Sequence, residues 1–115
     1  MTDDRLKLVD RAIVRRLIGN INELKHSLTC GSTLTYSLWK RLGCIEMMFD
    51  MLEPYTNRLQ LRARPNVNDV EQTLKRLDVD GDKTPYMVVR GAILALEAMH
   101  RTAQAVEKLV APDTE

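Results

Sequence analysis

The chain has 115 residues, enough for one domain of about 100–200 residues and too few for a two-domain enzyme. Hydrophobic residues make up 44% and charged residues 29%, a balance that supports a core and excludes a disordered chain. The formal charge of +1 excludes a protein that holds nucleic acid mainly through a broad positive field.

From residue 4 to about residue 29, Leu6, Ile13, Leu17, Ile21, Leu24 and Leu28 fall on one stripe when stepped at 100° per residue. This predicts an amphipathic helix capped by Asp3 or Asp4, with Arg11, Arg15, Asn22 and His26 on its solvated side. Cys30, Gly31 and Ser32 supply a stop and a turn. A second helix is expected from Ser32 or Thr33 to Glu53, with Leu34, Leu38, Leu42, Ile45, Phe49 and Leu52 as its core stripe, ended or kinked by Pro54. Between Asn57 and Arg64 the pattern alternates, which suits a short strand as well as a ragged helix end. Arg64 before Pro65 closes that segment.

A short helix from Asn68 to Leu77 comes next, with Asn68 and Glu71 at capping-box spacing and Val70, Leu74 and Leu77 facing inward. Residues 78–82 read as a linker. Thr84 and Pro85 signal the start of the last helix, although Tyr86 to Val89 also suit a short strand. The last helix runs to Val110, with Pro112 just beyond. Val88, Ala92, Leu96, Met99, Ala103, Val106 and Val110 form its core stripe, and Arg90, Glu97, Arg101, Gln104 and Lys108 a polar one. Between them Gly91, Ala95, Ala98, Thr102 and Ala105 make a strip of small residues that lets another helix come close, either a neighbour in the bundle or a second copy of the chain.

These elements predict a mainly α fold. Residues 1–115 form a single helical domain, a small bundle with long first and last helices, a short strand pair and dimerisation through helices, ending in a frayed tail at 111–115. The longest apolar run, Gly91 to Leu96, is far below the ~18 residues of a membrane span, and no stretch of signal-peptide length follows Met1. A cytoplasmic protein with no membrane contact is expected, with Cys30 and Cys44 kept as thiols.

The residues suited to catalysis are few. His26 and His100 are the only histidines, and no spacing joins either one to a nucleophile, so a non-enzymatic chain is expected. The scattered glycines make no phosphate-binding loop, and no cofactor is implied. His26, Cys30, Cys44 and His100 are a donor set zinc would accept, but their spacing matches no zinc motif, and His26 and Cys30 share a face only if the first helix runs through Thr29. Asp78, Asp80 and Asp82 begin like a calcium loop, yet glycine stands at the fourth position instead of the sixth and Val89 at the twelfth.

The short helix, turn and last helix could be drawn as a helix-turn-helix. Its recognition helix would offer bases only Arg90, and three aspartates would face phosphate. Arg58, Arg62 and Arg64 form a basic cluster able to hold nucleic acid, but the acidic stretch Asp69, Glu71, Asp78, Asp80 and Asp82 is an equally good partner for them.

The second helix carries a different signal. Cys44, Met47, Met48 and Met51 project largely away from its core stripe, near Trp39, with Glu46, Asp50 and Glu53 as an acidic edge. Methionines adapt their shape and recur where a protein accepts another's helix or loop, and a tryptophan beside them suits a binding hot spot; a helix buried all round would use the same residues as core.

In its size, its Cys44, Met47, Met48 and Met51 patch and its Gly91-to-Ala105 seam, the chain resembles the small helical anti-activators of bacterial quorum-sensing transcription factors. That resemblance implies a homodimer with no cofactor that captures a regulator's dimerisation surface, and it assigns no role to individual residues. The expected function is a regulatory module that binds another protein, a transcription factor, and blocks its assembly. The alternative is a small nucleic-acid-binding regulator using Arg58, Arg62 and Arg64.

Overall fold

The computed structural model describes residues 2–32 and 34–111, with side chains from residue 8 onward. Leu6, the capping side chains of Asp3 and Asp4, Thr33 and residues 112–115 of the expected tail lie outside this description.

The 100° stripes become helices. Helix α1 spans Thr2–Thr29, α2 Thr35–Met51, α3 Glu53–Arg58, α4 Arg64–Asp80 and α5 Tyr86–Val110, with a 3-10 turn at Gly81–Lys83 between the last two. Among the described residues there is no strand. The alternation at 57–64 is instead the end of α3, a turn and the entry to α4, and Tyr86 to Val89 form the first turn of α5. A strand pair needs both partners to share backbone hydrogen bonds, and here these groups bond locally: Leu61 N–H donates to the Thr56 carbonyl at 2.9 Å and Val88 N–H to that of Pro85 at 3.0 Å.

Several helix ends differ from expectation. Leu34 is the residue ahead of α2 and is 73% exposed, outside the core stripe assigned to it. Helix α4 begins four residues earlier than its capping-box signal, because Pro65 is accommodated in the first turn, where its missing N–H costs nothing. Asn68 and Glu71 are therefore inside the helix. Pro85, not Thr84, precedes α5, and the Thr84 hydroxyl donates to the Gly81 carbonyl at 2.8 Å.

Two helix ends use the same closure. After α1, Gly31 N–H donates to Leu28 and Ser32 N–H to Ser27, with Gly31 at φ 79°. After α3, Gln60 N–H donates to Asn57 and Leu61 N–H to Thr56, with Gln60 at φ 57°. Both are the paired bonds that satisfy the last carbonyls of a helix through one left-handed residue.

The long helices pack α1 on α2, α2 on α4, α4 on α5 and α5 on α1, closing a ring of neighbours. Trp39 near the start of α2 meets Asp78 near the end of α4, and Glu46 further along α2 meets Arg64 at the start of α4, so these two run antiparallel. The result is an up-down-up-down bundle measuring 53 × 23 × 22 Å. A helix of 28 residues is about 42 Å long at 1.5 Å per residue, which is why the molecule is elongated and its radius of gyration is 15.2 Å.

The core runs the length of the bundle, with Val14, Leu17, Ile21, Leu24, Leu42, Ile45, Leu74, Leu96 and Met99 fully enclosed or nearly so. Every buried side-chain polar atom among the described residues has a hydrogen-bond partner. No helix is long and apolar enough to cross a membrane among the described residues.

Candidate functional site

Helix α2 turns Leu38, Leu42, Ile45 and Phe49 into the core. Its flanks are set by its neighbours. Arg41 donates to Asn20 Oδ1 at 2.8 Å on the α1 side, while Trp39 and Glu46 reach α4. Between the flanks an outer face remains, and on it Tyr36 is 80% exposed, Met47 55% and Met51 54%. Met48 packs against the core and Cys44 is half-buried, both towards α1.

The five residues expected to bind a partner are thus divided. Trp39 packs against the core and donates its indole N–H to Asp78 Oδ2 at 2.8 Å, on the flank away from Cys44 and Met48. Met47 and Met51 are the exposed members. Sequence reading missed Tyr36, which extends the face by three turns, and Gly43, whose open position between Tyr36 and Met47 leaves a shallow gap. The signal was available: Tyr36, Gly43 and Met47 lie within about 40° of one another at 100° per residue.

One end of this face borders an open cleft of about 330 Å³ lined by Glu46, Asp50, Glu53, Arg62 and Arg64 over the edges of Phe49 and Val67. Arg64 pairs with Glu46 at 2.6 Å and lies 3.8 Å from Glu71. The hydrogen bond to Glu46 holds the Arg64 guanidinium still more firmly in its charged form. Arg62 and Arg64 therefore share one cleft with the acidic edge, and Arg64 is not a free phosphate ligand.

The small-residue strip of α5 is only partly a surface. Ala95 is 5% and Thr102 7% exposed, Ala98 and Ala105 are half-buried, and Gly91 is open. The Lys25–Glu97 ion pair, 2.9 Å, fixes α1 against the opposite flank of α5, and Thr73 donates to the Val88 carbonyl from α4. Of the two neighbours expected for the strip, the one within the bundle covers Ala95 and Thr102. The exposed apolar residues beside Gly91 are Met87 at 78% and Leu94 at 50%.

Among the described residues no group of three or more His, Cys, Asp or Glu side chains gathers in metal-binding geometry. The four zinc-type donors are not assembled as a set: His26 and Cys30 meet at the end of α1, Cys44 is on α2, and His100 lines an open cleft with Asn22, Lys25 and Glu97. Asp78 and Asp80 take protein donors, Trp39 and Arg76 respectively, and both lie within α4, so the calcium-like spacing forms no loop. Helices α4 and α5 pack against each other as neighbours in the four-helix ring.

Comparisons with protein-family models, with curated proteins and with solved structures find no match for the chain.

Proposed function

We propose that the chain is a non-enzymatic module that binds another protein through the outer face of α2. The observation that carries this reading is the exposure of Tyr36, Met47 and Met51 on a helix whose core stripe is already complete. Large apolar side chains grouped on an outer face cost solubility and need a reason beyond folding. Methionine side chains fit the unbranched contour of a partner helix, and the open position at Gly43 lets its backbone come close. Asp50 and Glu53, exposed at the rim, favour a partner with basic residues beside its apolar ones.

The partner proposed is a transcription regulator whose own assembly surface is an amphipathic helix, and the mechanism is steric, since a covered surface cannot dimerise. Self-association belongs to the same reading. With Ala95 and Thr102 taken up inside the bundle, a second copy has Met87, Gly91 and Leu94 to pack on.

The test is capture from native cell extract with the tagged chain, at low and high salt and with nuclease, beside a Met47→Glu/Met51→Glu double variant whose helicity is checked by circular dichroism. One stoichiometric protein that survives salt and nuclease and is lost with the folded double variant supports the reading. Capture of nucleic acid alone, lost at high salt and on replacing Arg58 and Arg62, overturns it in favour of the basic cluster.

A further inference from the structure

We infer that His26 and Cys30 form a two-point chelate for a thiophilic divalent cation, with Zn²⁺ the ion they fit. The pair is brought together by the way α1 ends. The helix runs through Thr29, and Cys30 N–H still donates to the His26 carbonyl at 2.9 Å before Gly31 turns the chain away. Cys30 is therefore one helical turn beyond His26, on the same face.

Cys30 Sγ lies 3.5 Å from His26 Nε2 and 4.0 Å from Nδ1. Zinc bonds thiolate at about 2.3 Å and imidazole at about 2.0–2.1 Å, so tetrahedral ligands on one ion stand about 3.6 Å apart. The sulfur and Nε2, 3.5 Å apart, are within reach of one ion. The Nε2 lone pair does not point at the sulfur in this conformer, and a turn about the Cβ–Cγ bond, open to an exposed side chain, aims it at a shared ion.

The surroundings favour a cation. The C-terminal end of a helix dipole is negative, which favours positive charge and disfavours anions. Space next to Gly31 is open, with nothing within 4 Å of where a Cβ would stand, so water can complete the coordination sphere.

On binding, a Zn–S bond forms as the thiol proton passes to the buffer, the ring nitrogen donates its lone pair, and the hydrated ion sheds the waters displaced by these two ligands and by its change to tetrahedral coordination. No electron is transferred. The site lies on α1 and does not depend on the outer face of α2.

The test uses the full, reduced, metal-free chain. Titration with Co²⁺ reads sulfur ligation through its thiolate charge-transfer band, and titration with Zn²⁺ by calorimetry reads affinity and stoichiometry. Saturable binding with the charge-transfer band is expected, weakened at least tenfold by His26→Ala and by Cys30→Ser and unchanged by Cys44→Ser. Both substituted side chains are exposed, and circular dichroism confirms that the variants fold. One ion per chain supports the chelate completed by water, and one per two chains supports it with the same pair of a second copy replacing water. Three results overturn it: no saturable binding, an unchanged affinity in His26→Ala, which makes Cys30 a simple thiol adduct, or a loss confined to Cys44→Ser.

Discussion

The indole N–H of Trp39 donates to Asp78 Oδ2 at 2.8 Å, joining the beginning of α2 to the end of α4 across a sequence separation of 39 residues. Thr35 bonds the same carboxylate, and these two donors, Thr35 first, hold the Asp78 carboxyl below the usual range. A folded-state value below the unfolded one means that the stabilisation is present above the unfolded value and is lost as pH falls through the folded one. The melting temperature of the wild-type chain is expected to drop through the acid range, and Asp78→Asn is expected to flatten the part of that drop this carboxyl contributes. Thermal denaturation at a series of acid pH values measures it.

Tyr55 works in the opposite direction. Its hydroxyl donates to Asp10 Oδ2, and that hydrogen bond, with burial and the negative charge of Asp10, raises the phenol to about 12. The neutral phenol is the form the fold prefers, so this contribution is complete below pH ~10 and disappears as pH rises towards 12. Tyr55→Phe is expected to cost about 1–2 kcal/mol at neutral pH, since it leaves a carboxylate without its donor. Ultraviolet titration of phenolate should show one late-ionising tyrosine that is absent from the variant.

The two left-handed helix closures make a matched pair of stability predictions. At Gly31 the residue is suited to its positive φ, and Gly31→Ala is expected to lose about 1 kcal/mol. At Gln60 the same geometry is held by a residue with a Cβ, and Gln60→Gly is expected to gain about 0.5–1 kcal/mol. A change of 1 kcal/mol moves the melting temperature of a domain this size by about 4 °C, which is readily resolved.

Mid-helix glycines should behave in the reverse way. Gly43 has open space where a Cβ would be, so Gly43→Ala is expected to stabilise α2 by about 0.5–1 kcal/mol. If a partner's backbone rests there, the same substitution weakens capture. Stability and binding then move in opposite directions, which denaturation and capture measured on one variant would reveal.

Neighbouring methionines should separate fold from surface. Met48 packs against the core, and Met48→Glu is expected to cost about 2 kcal/mol or more by placing a charge among apolar side chains. Met47, more than half exposed, should tolerate glutamate within about 0.5 kcal/mol. Equal losses in urea denaturation would show that the outer face of α2 belongs to the core.

Local pattern was enough for most of the helices. The stripes of Leu17, Ile21 and Leu24 in α1 and of Leu96, Met99 and Val106 in α5 are buried as their periodicity requires, because a helix shows its inward face at every third or fourth residue. Alternation over 57–64 misled, since a period of two over a few residues also arises where a helix ends and a turn begins. The start of α4 misled too, because proline both breaks a helix interior and suits its first turn, and only the packing of Val67 into the core chooses between them. The amino-acid pattern by itself therefore determined that this is a bundle of long amphipathic helices, and which face of each is apolar. Which neighbour fills a second apolar or small face is a property of three dimensions. The tertiary structure alone buried Ala95 and Thr102 inside the bundle, tied Trp39 to Asp78 and left Met47 and Met51 exposed, because the order of helices around the ring is settled by contacts between residues far apart in the chain.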